Sequence, residues 1–472
     1  MSREIIPTSR KALKINLDTS FYGTFAEIGG GQEVARNFFQ AGGASGTIAK
    51  TISAYDKSFS DANYNNHKKG RYVSEHRLQK MLNKEYHELE KLLREEKPDA
   101  SFFAFADTVE ILNYTKTNYP HGWMGVRFQL SPDKEPNEVV MHVKLLENDS
   151  LLQQVTLGTL GVNLMYACKN YYDTPNIFLQ SLLDNVSTDR FRITMMKMSG
   201  PDLAYVDNRL LGLQLVRNGM THAIMFDKYG NVQQPSDMLY KKNVLAFRGT
   251  FKPITYITKD ILRKSLDMFR RDEDYNEENT LSFCEMTTNN LLAEGELDEV
   301  DFLERVNMLN LIGQNVMVSD IREYFKIVEF FGQFNLKKLR LVIGVPTLEK
   351  VVDKRFYKDL KGGILEAVGK MFPENMKLYI YPTTRKGTKE MVTSDNIKMD
   401  GDVRYLYDYL KVNRFILDIK SSMSEQLHVK AKEVLKMIRE DNPDWEKLVP
   451  MVVAKEIRKK NLFKKKPKPK IN

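Results

Sequence analysis

Apolar residues recur at helical spacing over 73–97, where Leu78, Met81, Leu82, Leu89, Leu92 and Leu93 line one face of an amphipathic helix. The pattern then changes. Residues 101–107, "SFFAFAD", are almost continuously apolar, as in a buried strand. Met124, Val126, Phe128 and Leu130 alternate with polar residues, as do Val139, Met141, Val143 and Leu145, so the two runs predict a hairpin around "SPDKEPN". From 150 onward helices and strands take turns. "FRITMMKMS" reads as a strand, and "DNRLLGLQLVRNG" as a helix with Asp207 at its N-cap and Gly219 beyond its C-terminus. "THAIMFD" and "NVLAFRGTF" read as two further strands.

The acidic run at 270–279 predicts a boundary. Beyond it, short apolar strands at 314–320, 339–345 and 377–383 are separated by helices, which describes a βαβαβ unit with a parallel sheet. The expected fold class is therefore α/β. A mixed domain with Gly-rich loops would occupy 1–270 and a three-layer, Rossmann-like domain 280–445. A terminal helix and a disordered basic tail would complete the chain over 446–472.

Composition narrows the classes. Of 472 residues, 42% are hydrophobic and 28% charged, which argues against wholesale disorder. The net charge of +9 is concentrated at 458–470, where eight Lys and Arg stand without an acid, so the folded body is close to neutral. That tail is a candidate contact for RNA or an anionic surface through counterion release, and equally a solubilising end. Cys168 and Cys284 stand alone, so a thiolate zinc site and a disulfide framework are both unsupported. No apolar run of about 18 residues and no signal-like N-terminus occurs, so a cytoplasmic location without a transmembrane helix is expected. The seven histidines show no metal-binding spacing, no metal ligands are expected, and no G-x-S-x-G elbow is present.

The chemistry-bearing stretch is "FYGTFAEIGGGQEVARNFF" (21–39), in which Gly29, Gly30 and Gly31 stand directly before a helical pattern. Free amides at a helix start can hold a phosphate. The GxxxxGK[ST] loop fails, because Gly46 and Lys50 are four apart, and the GxGxxG offsets are absent. Two readings stay open: a phosphate cradle, or a turn that needs glycine for close packing. Other candidates have plain alternatives. Asp107 is either a ligand for Mg²⁺ or ribose or the N-cap of a helix from 108. Lys241 and Lys242 are either phosphate contacts or a solvated turn. His121 is either catalytic or structural.

The same stretch resembles the opening motif of nucleotidyltransferases that make nicotinate or nicotinamide adenine dinucleotides. Gly23, Thr24, Phe25, Ile28 and Gly30 match it, and "VSTDRFR" (186–192) is similar to the family's second motif. Segments such as "GTIAKTISAYD", "VDNRL", "LYKK" and "GGILE" resemble a bacterial family commonly named nicotinate-nucleotide adenylyltransferase. The resemblance implies adenylyl transfer from ATP, with Mg²⁺, to a pyridine mononucleotide in NAD biosynthesis. It implies a nucleotide site at Gly23, Thr24, Phe25, Gly29, Gly30, Gly31, Gln32, Ser187, Thr188 and Arg192. The family's two motif histidines are replaced by Gly29 and Gln32, and no catalytic residue is assigned; Arg36, Lys50 and Arg192 are the nearest replacement cations. The alternative is a non-catalytic ligand-binding or scaffold protein, with an RNA- or membrane-surface role through the tail as third choice.

Overall fold

The computed structural model describes residues 3–464 except 274, 294, 386, 387 and 389. Two compact units divide the chain, Met1–His222 and Ala223–Asn472.

The first unit is built on β1 (Phe21–Gly29), β2 (Ile48–Ile52), β3 (Ser101–Glu110), β4 (His121–Phe128), β5 (Asn137–Leu145) and β6 (Phe191–Ser199). They form one sheet in the order β2-β1-β3-β4-β5-β6, parallel from β2 to β3 and antiparallel from β3 to β6. Its helices are α1 (Thr8–Asn16), α2 (Glu33–Ala41), α3 (Lys57–Tyr64), α4 (Glu75–Leu93), α5 (Ser150–Asn170), α6 (Pro175–Leu182) and α7 (Asn208–Arg217). Helix α4 covers β1, β3 and β4 on one face, as its leucine stripe predicts. On the other face α1, α2, α5 and α6 pack together over the main core. Phe25 of β1 is fully buried there, with its ring centroid 4.9 Å from that of Phe38 and 5.5 Å from that of Phe105.

The second unit is doubly wound. Its strands are β7 (Ala223–Phe226), β8 (Val232–Gln233), β9 (Asn243–Arg248), β10 (Thr280–Thr287), β11 (Asn315–Ser319), β12 (Lys338–Gly344), β13 (Met376–Tyr381), the small ribbon β14 (Thr383–Thr384) and β15 (Met391–Val392), and β16 (Ile416–Asp418). The large sheet runs β16-β13-β12-β9-β10-β11-β7-β8. Its six parallel strands, numbered within the unit, have the order 3-2-1-4-5-6, the dinucleotide-domain arrangement. Helices cover both faces. The helix at Tyr256–Phe269 packs with Leu245, Val342 and Tyr379, whereas those at Tyr324–Gly332 and Gly363–Met371 pack with the core of Val244, Leu341 and Leu378.

The α/β class and the Rossmann-like sheet expected from the sequence are both present. The boundary is corrected: the units divide after His222, not at 270–279. The reason is topological. β9, read as part of the first domain, is the central strand of the second sheet, and 270–279 is only the link from its crossover helix to β10. Most of the basic tail, 465–472, lies outside the described residues, and Arg458–Lys460 end the helix Met451–Lys460.

The Phe25 cluster should dominate the stability of the first unit. Phe25→Ala is expected to cost about 3–5 kcal/mol through lost burial and the cavity left behind. Trp123 is the one tryptophan of that unit, so its fluorescence during urea unfolding in a Trp445→Phe background measures the loss.

Candidate functional site

β1 carries Phe21, Gly23, Phe25 and Glu27 on its core face, and β3 carries Phe103, Phe105 and Asp107 there. Glu27 and Asp107 are direct register partners on these adjacent parallel strands. Two acids thus continue two phenylalanine rows into the C-terminal end of the sheet, under the start of α2.

The glycine turn passes very close to β3. Gly29 has φ +81°, and a Cβ there would stand 1.9 Å from the Val109 carbonyl oxygen. A Cβ on Gly31 would stand 1.9 Å from Asp107 Oδ1. Both positions therefore require glycine, one for conformation and one for approach. The Gly30 amide donates to the Val109 carbonyl at 3.2 Å. In the first turn of α2, Val34 N donates to the Gly31 carbonyl at 3.3 Å, Ala35 N to Glu27 Oε1 at 3.1 Å and Arg36 N to the Gln32 carbonyl at 3.5 Å. The helix start already holds an acceptor, the chain's own Glu27 carboxyl.

That carboxyl is strained electrostatically. Burial pushes Glu27 up to about 7, with Glu33 adding in the same direction, while the Ala35 and Val34 amides pull it down. Burial and the neighbouring Glu27 also push fully buried Asp107 well above the usual carboxylate range. Neither Asp107 oxygen has a hydrogen-bond partner of ordinary geometry, and the Ile28 amide is the group favouring its ionised form.

Glu27 also lines an open cleft of about 460 Å³ between α2 and the end of β2. Gln32, Arg36 and Phe39 form one wall and Thr51, Ile52 and Ser53 the other. Gln32 Nε2 donates to Ser53 Oγ at 2.9 Å, joining the two walls. Arg36 pairs with Glu33 at 3.0 Å, and the Phe39 ring is half exposed. The arrangement offers an aromatic face, a guanidinium, amide and hydroxyl groups, and an acid that titrates near neutrality.

The residues singled out from the sequence are dispersed. Gln32 lines the cleft, and Gly29, Gly30 and Gly31 form its neighbouring turn. Gly23, Thr24 and Phe25 lie inside β1: Gly23 leaves room for the Phe103 ring, Thr24 Oγ1 donates to the Lys50 carbonyl at 3.2 Å, and Phe25 is core. Ser187, Thr188 and Arg192 precede or begin β6, four strand positions from β1 and thus roughly 19 Å away across the sheet. Lys50 turns to Glu85 and Glu88, 2.7 Å from each. Asp107 is not a helix N-cap: β3 continues to Glu110. His121 Nδ1 stands 3.0 Å from His142 Nε2, whose ring's Nδ1 is 2.5 Å from Thr194 Oγ1. Lys242 Nζ donates to Asn279 at 3.1 Å.

In the second unit, the C-terminal ends of β9 and β10 are closed by their own side chains. Arg248 donates to both Glu285 oxygens at 2.8 and 2.9 Å, and Ser319 Oγ donates to Glu285 at 2.6 Å. Where dinucleotide domains offer an acid at the second strand to a ribose, Glu285 is engaged by an arginine.

No protein-family model and no curated protein matches the chain. Among solved structures it is similar to the competence/damage-inducible protein CihA from Agrobacterium tumefaciens, at 14% identity over 35% of this chain and 98% of that one, with a TM-score of 0.27. It is also similar to the nicotinic acid mononucleotide adenylyltransferase of Plasmodium falciparum complexed with APC, at 14% identity over 47% and 97%, TM-score 0.29. A third is a competence or damage-inducible protein from Enterobacter asburiae, at 10% identity over 35% and 99%, TM-score 0.25.

The acid pair sets a pH dependence. The folded chain keeps a proton on Glu27 up to about pH 7 that the unfolded chain, with an ordinary value of 4.5, has already released. The unfolded state then binds fewer protons, so stability falls as pH rises through that window, by on the order of 3 kcal/mol. Asp107, raised in the same direction by burial and by Glu27, adds to the decline. Urea unfolding followed by Trp123 at pH 5, 6, 7 and 8 should show this slope, and Glu27→Gln should flatten it below pH 7. Gly31→Ala, which drives a methyl into the Asp107 carboxyl, should destabilise the same unit by several kcal/mol, on the order of an overpacked core site.

Proposed function

We propose that this chain binds a nucleotide in the cleft between α2 and β2, and that its reaction is the one its opening motif resembles, adenylyl transfer from ATP to a pyridine mononucleotide. The observation that carries the reading is the cleft itself, which sets a half-exposed aromatic ring, a guanidinium and a near-neutral acid at the C-terminal end of parallel strands. Phe39 offers a stacking face for a base, and Arg36 stands on the same wall for a phosphate.

In the reaction a phosphate oxygen of the mononucleotide attacks the α-phosphorus of ATP. The new P–O bond forms as the bond to pyrophosphate breaks. The chain's part is to hold both phosphates in line, with Arg36 neutralising charge. The Mg²⁺ implied by the resemblance has few protein donors here: Glu27 already accepts from Ala35, and no group of three metal-ligating side chains occurs among the described residues. A Mg²⁺ ion would be held here by the ATP phosphates rather than by the chain, and would supply charge neutralisation.

A second reading, binding without turnover, is favoured by one observation. The amides of Val34, Ala35 and Arg36 in the first turn of α2, which could stabilise departing pyrophosphate, are spent on the Gly31 carbonyl, Glu27 and the Gln32 carbonyl. The roles of Ser187, Thr188 and Arg192 as nucleotide contacts, and of the tail as an RNA or anionic-surface contact, belong with these proposals.

The test uses the full chain with ATP, Mg²⁺ and nicotinate mononucleotide. Pyrophosphate release together with a rise in melting temperature is expected, with Arg36→Ala losing about tenfold or more in kcat/KM. A thermal shift without pyrophosphate selects the binding-only reading. No shift with either nucleotide overturns both.

A further inference from the structure

The outer face of the first sheet, turned away from the Phe25 core, carries a second cluster. Val143, Leu145, Phe191 and Ile193 belong to that core, so Lys144 and Arg192 between them point the other way. Strand register sets His121, Lys144 and Arg192 directly opposite one another on β4, β5 and β6. Three basic side chains thus stand in one row across two strand spacings, roughly 10 Å. All three are partly exposed, and Lys197, further along the same side of β6, is exposed.

A polar chain runs beside the row. β6 bulges opposite His142 and Val143, with Thr194 as its extra residue. The Thr194 hydroxyl lies 2.5 Å from His142 Nδ1, and His142 Nε2 lies 3.0 Å from His121 Nδ1. The buried His142 ring sits edge-on to Trp123, with centroids 4.9 Å apart. With both imidazoles neutral, the hydrogens can run in either direction along this chain. One direction ends in the His121 Nε2–H and the other in the Thr194 O–H, so each ends in a donor.

Like charges directly opposite one another across strands repel. Arg192 acts on Lys144 in this sense, and His121 and Arg71 act on His142. The acids nearby offset little of it. Glu110, the register partner of His121 at the β3 end of the row, accepts from Asn118 at 2.8 Å. Glu138 is held by Arg127 at 3.4 Å, and Glu147, beyond the end of β5, by Arg190 at 2.6 Å. A compact dianion suits such a row, because its oxygens accept from several sides at once and its charge answers more than one cation.

We propose that His121, Lys144, Arg192 and Thr194 form a binding site for a phosphate dianion on the outer face of the sheet. The chemistry recognised is the phosphate group, either free or as the monoester of a small organic molecule, and no bond is made or broken. Helix α2, which walls the cleft, packs on the opposite face of the sheet, so the two places are distinct. Arg192 enters through its row and not through a motif. The inference goes beyond the nucleotide reading and needs neither a base nor a pyridine ring.

The experiment is isothermal titration calorimetry of the full chain at pH 7.5 with inorganic phosphate and with glycerol 3-phosphate. Binding at one site per chain is expected, and the tighter of the two ligands identifies the source of the phosphate. Arg192→Met and Lys144→Met should each weaken it about tenfold or more, the loss of one charge-assisted contact. If one of these variants fails to fold, the other decides. Trp123 fluorescence in a Trp445→Phe background is the second readout. Through the neighbouring His142 ring it should respond to phosphate in the parent and in Arg36→Ala, but not in Arg192→Met at the same concentration. Absence of binding by both ligands overturns the inference, as does binding that persists unchanged in Arg192→Met and Lys144→Met. Binding lost in Arg36→Ala alone puts the phosphate in the cleft, which overturns the inference and leaves the nucleotide reading intact.

Discussion

The first unit is organised around a close pass of backbone over strand. Between Gly29 and Gly31 the chain leaves β1, crosses the end of β3 with no room for a side chain, and enters α2. This pass fixes where α2 begins, and so fixes the Glu27 carboxyl beneath its first turn, 3.1 Å from the Ala35 amide. It also closes the roof over Asp107. The register of β1 with β3, the start of the helix and the floor of the cleft are three consequences of one steric requirement.

The electrostatic cost of that arrangement is set against the apolar core directly below it. Phe25, Phe38, Phe103 and Phe105 are fully buried and in ring contact through Phe25. Burial of four such side chains outweighs the cost of holding one or two carboxyls protonated, since each aromatic contributes roughly 2–3 kcal/mol of transfer energy. The fold therefore tolerates an acid pair that contributes nothing to its own stability above neutral pH. A buried acid pair kept at such a cost, beside an open cleft, is where a perturbed group has a functional reason to exist.

Much of this was legible in the sequence, and the rest was hidden for physical reasons. The helix over 73–97, the hairpin formed by β4 and β5 and the parallel strands of the second unit carried their periods openly. The glycine turn was visible, but its meaning was not: only the spatial neighbour of Gly31, the carboxyl of Asp107 some 76 positions along the chain, separates a close approach from a phosphate cradle. Glu27 left a trace, since it falls on the alternating face that begins with Phe21, Gly23 and Phe25, where an acid is out of place. Asp107 left the same trace after Phe103 and Phe105, but at the end of an apolar run it reads equally well as a cap. Arg192 and Ser187 looked like partners of the glycine stretch by motif, and the sheet order places three strands between them.

The second unit shows the same separation of fold from chemistry. Its strand order is that of a dinucleotide domain, yet β9 runs into Arg248, Gly249, Thr250 and Phe251 rather than a run of spaced glycines, and Gly249 N is bonded to the Glu285 carbonyl at 3.0 Å. Arg248 fills the place beside Glu285 with its own guanidinium and donates as well to the carbonyls of Ile321 and Arg322 at 2.9 and 2.7 Å. The ends of three neighbouring strands are thus tied by one partly buried cation. Topology alone would assign a ligand to that edge; the side chains there satisfy one another instead. In the first unit the position is reversed. Its mixed sheet announces no ligand, but Asp107 is left without an ordinary hydrogen bond behind Glu27 and an open volume, and incompletely satisfied groups rather than strand order are what a ligand can complete.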